Sequence, residues 1–330
     1  MAVLVCGGAG YIGSHMVAAL IEKGYDTVVA DNLSMGHQAA VWPGAAFYKA
    51  DVRDSEQMDR IFAVHGIDTV VNFAAHTAVG ESVENPAKYY YNNVTGTLAL
   101  LDQMLKHGVK KLVFSSSASV YGITDRIPIT EDMPKAPISP YAETKLAAEK
   151  IFKWYDNAYG LKYVALRYFN VGGAHESGCI GEDHDPETHI IPICLHVAQG
   201  KIPAFKLFGN DYDTPDGTCI RDYVHVMDLI DAHILAMEKL NRDNTSAVYN
   251  LGSQNGFSNK EIVTAVKKVT GVDFPVEVHG RRPGDPAAAV ASSEKIKMEL
   301  GWNPSRTTID NIIATAWAWH SAHPNGYSDR

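Results

Sequence analysis

The chain has 330 residues, a formal charge of −9 and 20% charged residues, the balance of an ordinary globular protein with room for two domains or one large one. No basic run could neutralise a phosphate backbone and no apolar run is long enough to span a bilayer, so neither nucleic acid nor membrane is expected as a partner. Cys6, Cys179, Cys194 and Cys219 are widely spread without Cys-x-x-Cys spacing, which gives no zinc template and no disulfide framework and fits a reducing cytoplasm.

The apolar run Ala2 to Cys6 reads as a core strand rather than a leader. It enters Gly7-Gly8-Ala9-Gly10-Tyr11-Ile12-Gly13 and then the helical pattern of Met16 to Glu22. Strand, glycine turn and helix N-terminus make a phosphate cradle: a side chain at the turn would block a pyrophosphate, and the first-turn N–H groups of the helix meet its charge. Thr27 to Ala30 reads as a second buried strand ending in Asp31-Asn32, near the distance at which a carboxylate reaches an adenosine ribose. That carboxylate accepts from a 2′-hydroxyl and repels a 2′-phosphate, which points to NAD rather than NADP.

A polar loop, Asn32 to His37, leads to a short strand, Ala46 to Ala50, ending at Asp51-Val52. A helix over Glu56 to His65 carries Met58, Ile61 and Phe62 on one face. The continuous apolar run Asp68 to Phe73 is that of a strand buried on both faces of a parallel sheet, and its end, Asn72-Phe73-Ala74-Ala75-His76, reads as a ligand edge. A helical stretch from Pro86 to His107 returns to the strand Lys111 to Phe114, which runs into Ser115-Ser116-Ser117-Ala118-Ser119-Val120-Tyr121-Gly122. Downstream, Pro140 precedes Tyr141-Ala142-Glu143-Thr144-Lys145 and a helix over Leu146 to Trp154, so Tyr141 and Lys145 project from one helix face. Spacing alone leaves both Ser116 and Ser117 open as the partner of this pair.

After the strand Tyr163 to Tyr168 the parallel pattern becomes irregular, and the polar segment from Asn170 marks a plausible boundary. Ser258 to Glu261 reads as a capping box, starting a helix with Ile262, Val263, Val266 and Val269 inward and Gly271 as its stop. The run Glu182-Asp183-His184-Asp185, with His175 and His189 around it, lacks regular ligand spacing and reads as a solvated loop, so no metal is expected.

A dinucleotide turn, a serine cluster after a central strand and Tyr-x-x-x-Lys on the following helix occur in the order one active site needs. On these motifs the chain resembles the extended short-chain dehydrogenase/reductase family, and within it the UDP-glucose 4-epimerases. The likeness extends through Val79 to Ser82, Tyr90 to Val94, Arg167 to Asn170, Phe208 to Tyr212, Arg221 to Val226 and Arg281 to Asp285. It implies an α/β fold: an NAD-binding Rossmann doubly wound parallel sheet over residues 1–170, and a smaller α/β UDP-sugar domain over 171–330 whose segments around 221–250 return to the first.

The resemblance also implies roles. Tyr141 is the base, Lys145 its tuner and holder of the nicotinamide ribose, and Ser117 the bridge to the sugar hydroxyl. NAD contacts fall to Gly7, Gly10, Tyr11, Ile12, Gly13, Asp31, Asn32, Asp51, Val52, Phe73, Ala74, Ala75, Asn92, Lys145 and Tyr168. The UDP-sugar falls to Ser117, Tyr141, Asn170, His189, Phe208, Arg221, Tyr223, Arg282, Asp285 and Ala289. Arginines suit a diphosphate and a carboxylate suits ribose hydroxyls. Taken singly, Arg221 beside Asp222 reads as a surface ion pair. Moving a phenol from about 10 to about 7 asks for roughly 4 kcal/mol, which Lys145 and the oxidised nicotinamide are expected to supply.

The implied reaction is interconversion of UDP-galactose and UDP-glucose through a 4-keto sugar, with retained NAD and a homodimer formed by helices around Asn93 to His107 and Tyr141 to Tyr155. Three positions depart from some epimerases. Thr77 stands in place of a lysine, His189 in place of an asparagine, and the small Ala289 stands where a bulky residue excludes N-acetylated sugars. A UDP-glucuronate or UDP-GlcNAc 4-epimerase remains open. A 4,6-dehydratase needs an Asp-Glu pair where this chain has Ala118-Ser119, and a non-catalytic NAD sensor would lack the tyrosine or lysine.

Overall fold

Alternate residues of β1 (Ala2–Cys6) serve two cores, which is what a strand buried on both faces requires. Val3 and Val5 pack on one side with Met16, Val17 and Leu20, while Ala2, Leu4 and Cys6 face Met58, Ile61 and Phe62 on the other. The computed structural model describes residues 1–124, 126–282 and 284–329; Pro283, within the segment Arg281 to Asp285, lies outside them.

The strands β2 (Asp26–Asp31), β3 (Ala46–Lys49), β4 (Ile67–Asn72), β5 (Lys111–Ser117) and β6 (Lys162–Tyr168) join β1 and the late strand Ala247–Leu251 in one seven-stranded sheet. Its order is Ala247–Leu251, β6, β5, β4, β1, β2, β3, and every neighbouring pair is parallel. This is the doubly wound α/β arrangement, with the strand order reversing between β1 and β4. There the loops after the two strands diverge and open a crevice. Helix α1 (Tyr11–Glu22) and the helix Val226–Asp243 cover one face, and the helices Ser55–Val64, Gly96–Lys106 and Pro140–Tyr159 cover the other.

A separate core joins the helices Ile190–Ala198, Asn259–Thr270 and Ile309–Ala322 through Leu195, Ile262, Val266, Ile312 and Ile313. The capping box at Ser258 forms as read, and Gly271 closes its helix in the left-handed conformation at φ 70°.

Two elements differ from the periodicity. The stretch expected as one helix from Pro86 to His107 begins instead with the helix Pro86–Tyr89, passes through a π-helical turn at Tyr90–Thr95 and resumes over Gly96–Lys106. The wider turn brings Asn93 inward, where its Nδ2 donates to His76 O at 3.0 Å and to Thr144 Oγ1 at 3.0 Å, tying the loop after β4 to the Tyr141 helix. The strand β5 runs on through Ser117, three residues past its apolar run, because its neighbour β6 continues in register to Tyr168.

Candidate active site

The glycine turn is packed against its surroundings on one side and open on the other. A Cβ at Gly13 would stand 2.0 Å from Gly7 O, and one at Gly7, whose φ is +77°, would stand 2.7 Å from Ala74 N. At Gly10 it would meet only Gly7 O at 3.5 Å and would project into the crevice that Gly10 lines. Gly10 is the N-cap of α1 and supplies no side chain, so the first-turn N–H groups of Tyr11, Ile12 and Gly13 are left to a ligand. These features fit an anionic dinucleotide.

The crevice brings together Gly7, Gly10, Asp31, Asn32, Asp51, Val52, Phe73, Ala74, Ala75 and Asn92. Tyr11, Ile12, Gly13, Lys145 and Tyr168 are not on its lining; Tyr11 instead reaches across and donates its hydroxyl to Gly173 O at 2.6 Å. Asp31 accepts from Ala9 N at 3.0 Å and Leu33 N at 2.8 Å, so it holds the glycine turn to its own loop. Burial nonetheless pushes its carboxyl up. Asn32 donates to Asp51, whose other bonds come from Arg53; these hold the Asp51 carboxyl low. His76, the last residue of the ligand edge read after β4, lines the crevice too, as do Ser34, Met35 and Gly36, which carried no motif in the sequence.

At the end of β5 the serines separate by the alternation of a strand. Ser116 is buried and donates to Glu149 Oε1 at 2.5 Å, and Glu149 is clasped by Arg167, whose NH1 donates to Tyr121. That buried network ties Ser116 into the scaffold. Ser117 stands on the other side, near enough to the Tyr141 phenol to favour its ionised form and 2.8 Å from Ser119 Oγ. Ser115 hydrogen-bonds Tyr168 across the strands.

The helix carrying the Tyr-x-x-x-Lys pair starts with Ser139 as N-cap and Pro140 in its first turn, and runs to Tyr159. Lys145 is 2% exposed and donates to Ser115 O at 2.7 Å. Burial pushes its ammonium down to about 7, against the raising influence of Glu149. The expected lowering of Tyr141 by Lys145 is not what the protein's own groups produce. Burial pushes the phenol up and only its interaction with Ser117 opposes it, while Lys145 Nζ stands 5.9 Å from the ring centre.

The substrate candidates gather elsewhere. Arg221 NH2 lies 3.4 Å and Arg282 Nε 3.0 Å from the Asp285 carboxylate, and the Arg282 guanidinium stacks 5.2 Å from the centre of the Phe208 ring. The strand Ala288–Ala289 pairs in parallel with Ile220–Arg221, which sets half-buried Ala289 opposite Arg221. Tyr223 is buried behind them, which pushes its phenol up, while the charges of Arg221 and Arg282 pull the other way.

Asp222 is not the surface ion pair its neighbourhood suggested. It is fully buried, and its carboxylate accepts from Ser253, Gln254 and Ala291 while its carbonyl takes both N–H groups offered by Asn170. Asn170 is therefore fixed by a backbone it could not have announced in sequence.

Nor is the segment around His184 a solvated loop. Glu182 and Glu187 have side chains only 7% exposed, and His184 and His189 turn their Nδ1 atoms onto them. Burial alone would lower His184, but the carboxylates of Glu182 and Glu187 facing its Nδ1 win and raise it to about 9.

Residues 3–252 match a family model described as the NAD dependent epimerase/dehydratase family. The chain belongs to that family. It is 55% identical, over the full length of both chains, to a protein from Streptococcus mutans serotype c named UDP-glucose 4-epimerase. Among solved members, the UDP-glucose 4-epimerase from Brucella ovis in complex with NAD is 46% identical, with a TM-score of 0.94 over 96% of this chain and 97% of that one. The Bifidobacterium longum enzyme in complex with NAD+ and UDP is 41% identical, with a TM-score of 0.93 over 99% and 100% of the two chains.

Proposed function

We propose that the chain is a UDP-glucose 4-epimerase, interconverting UDP-galactose and UDP-glucose by transient oxidation at C4. The observation that carries this reading is the convergence of Ser117, Tyr141 and Lys145 at the end of β5. Bound in the glycine crevice, NAD supplies the acceptor and donor of hydride and a positive ring that favours a tyrosinate.

The chain's own groups do the rest. Tyr141 removes the proton of the 4-hydroxyl and returns it, and Ser117 relays between that hydroxyl and the phenol. Lys145, fastened to Ser115 O, holds a positive charge below the phenol and a hydrogen-bond donor toward the nicotinamide ribose. Asn170, His189, Phe208, Arg221, Tyr223, Arg282 and Asp285 hold the uridine diphosphate, so that the sugar turns over while its nucleotide stays fixed. The half-buried, small Ala289 beside Arg221 supports admission of N-acetylated sugars as well.

On this reading residues 1–170 are the NAD half and 171–330 the UDP-sugar half, with segments around 221–250, among them the helix Val226–Asp243 and the strand Ala247–Leu251, packing back on the first. A cytoplasmic place in galactose metabolism and a homodimer belong to the same proposal. Trp154, on the stretch Tyr141 to Tyr155 expected at the dimer face, is 69% exposed, which supports that face, and light scattering tests the homodimer directly. No described helix is long and apolar enough to cross a membrane.

The test of function is incubation with UDP-glucose, UDP-N-acetylglucosamine and UDP-glucuronate separately, without added cofactor, and chromatography of the products. UDP-galactose is the expected product, with UDP-N-acetylgalactosamine beside it. No 4-epimer in any tube, even with NAD added, overturns the proposal.

A further inference from the structure

We propose that Glu182, His184, Glu187 and His189 form a binding site for one zinc ion, which staples the segment they span to the start of the helix Ile190–Ala198. All four donor atoms lie within 4.8 Å of one another. The nitrogen-to-oxygen distances are 3.2 and 3.7 Å from His184 Nδ1 to Glu182 and Glu187, and 2.9 and 3.0 Å from His189 Nδ1 to the same two residues. A tetrahedral zinc with bonds of about 2.0–2.1 Å separates its ligand atoms by about 3.4 Å; with one oxygen taken from each glutamate, the 2.9, 3.0 and 3.2 Å distances are edges of such a shell, while the 3.7 Å contact is made by the second oxygen of Glu187.

Ion pairing satisfies this cluster less well than a metal does. Two buried carboxylates present oxygens to two Nδ1 atoms, and each imidazole can offer at most one proton from that nitrogen. One dication neutralises both glutamates and accepts a lone pair from each imidazole, leaving each Nε2 free to donate outward. Two imidazole nitrogens and two carboxylate oxygens in a compact tetrahedron suit zinc, whereas calcium or magnesium would require six or more oxygens.

The placement gives the ion a structural task. His189 is the N-cap of the helix Ile190–Ala198, which packs in the C-terminal core, and the His184 ring lies 6.4 Å from the ring of Tyr11 at the start of α1. A metal there fastens the first helix of the sheet's glycine turn to the C-terminal core through a loop that has no regular structure of its own.

The full-length protein, dialysed against a chelator and then titrated with zinc, should bind one ion per chain in calorimetry. Cobalt in its place should give the intense visible bands of a tetrahedral site. His184→Ala and Glu187→Gln should each weaken zinc binding at least about 100-fold, in line with loss of a ligand. Both variants are to be checked for native circular dichroism. If one fails to fold, the other and the cobalt spectrum of the parent still decide. Absence of saturable binding overturns the proposal. So does one-to-one binding that both folded variants retain, since it would place the ion on other histidines, as would an octahedral cobalt spectrum.

Discussion

Around Gly7 to Gly13 the chain builds its site from backbone, whereas around Arg221 and Asp285 it builds from side chains, and the two regions fail in different ways. In the first, contacts as short as 2.0 Å to an imagined Cβ show that packing itself shapes the cradle. In the second, Arg221 and Arg282 share one carboxylate, and Arg282 remains 57% exposed, so its position depends on ion pairing that water can replace. The backbone site is rigid and intolerant of change; the side-chain site is adjustable. Between them stand Ser117 and Tyr141, both half-buried, and Lys145, which is buried and anchored to Ser115 O at 2.7 Å.

That intermediate position predicts the largest effect. Tyr141→Phe removes one hydroxyl from a packed helix and should lower kcat by about 10²–10⁴-fold while leaving the denaturation midpoint within error. Steady-state turnover and urea melts on one preparation check both halves. A loss of fold comparable to the loss of rate would mean the phenol is structural.

Lys145 sharpens the point because its burial opposes its charge. Its ammonium, pushed down to about 7, lies below the ordinary lysine value of an unfolded chain. Between those two values the unfolded chain binds a proton that the folded one refuses, so stability falls as pH is lowered through that window and levels off below about 7. Lys145→Met abolishes this slope. Its stability relative to the parent should rise by about 1.4 kcal/mol for each pH unit descended from about 10 to 7, while activity is lost. Denaturation series at several pH values decide it, and parallel curves for the two proteins would contradict the assignment of Lys145 as a buried, reluctant cation.

The glycines test the backbone side. Gly13→Ala must displace Gly7 O and should cost about 1–3 kcal/mol and the copurifying NAD, read from the denaturation midpoint and absorbance. Gly10→Ala meets only an ordinary contact and should fold normally, yet hold NAD less tightly because its methyl enters the crevice. Equal behaviour of the two variants would erase the distinction between packing and ligand space.

The same contrast explains what could be read from sequence. Gly7 to Gly13, Asp31 and the apolar strands declare themselves because backbone geometry restricts residue type locally, and the capping box at Ser258 does so for the same reason. Ser116 and Ser117 could not be separated until strand alternation sent one to Glu149 and the other to Tyr141. Asp222 looked like a partner of Arg221, but its donors come from Ser253, Gln254 and Ala291, residues distant in sequence. The π-helical turn at Tyr90–Thr95 has an apolar periodicity that suits an ordinary helix; its cause, the bonds of Asn93 to His76 and Thr144, is tertiary. Glu182 read as solvent-facing because charge in a polar run normally is, and only the fold turns His184 and His189 onto it and onto Glu187, which no sequence feature singled out.

The smallest effect should separate the two arginines. Arg221 is anchored by Ile220 O at 2.9 Å and Pro286 O at 2.8 Å, with a side chain 17% exposed, so its charge is presented from a fixed frame. Among the described residues Arg282 meets Asp285 and the face of Phe208, and it is largely solvated. Arg221→Ala should raise KM for the nucleotide sugar by about 10- to 100-fold, the worth of a charge-assisted hydrogen bond in a partly buried site. Arg282→Ala should raise it by less than about 10-fold, with the difference shrinking further in salt. Initial rates against substrate at low and high ionic strength distinguish them. Equal losses would mean that substrate itself orders Arg282, making the exposed half of the anchor as preorganised as the glycine cradle once the nucleotide is seated.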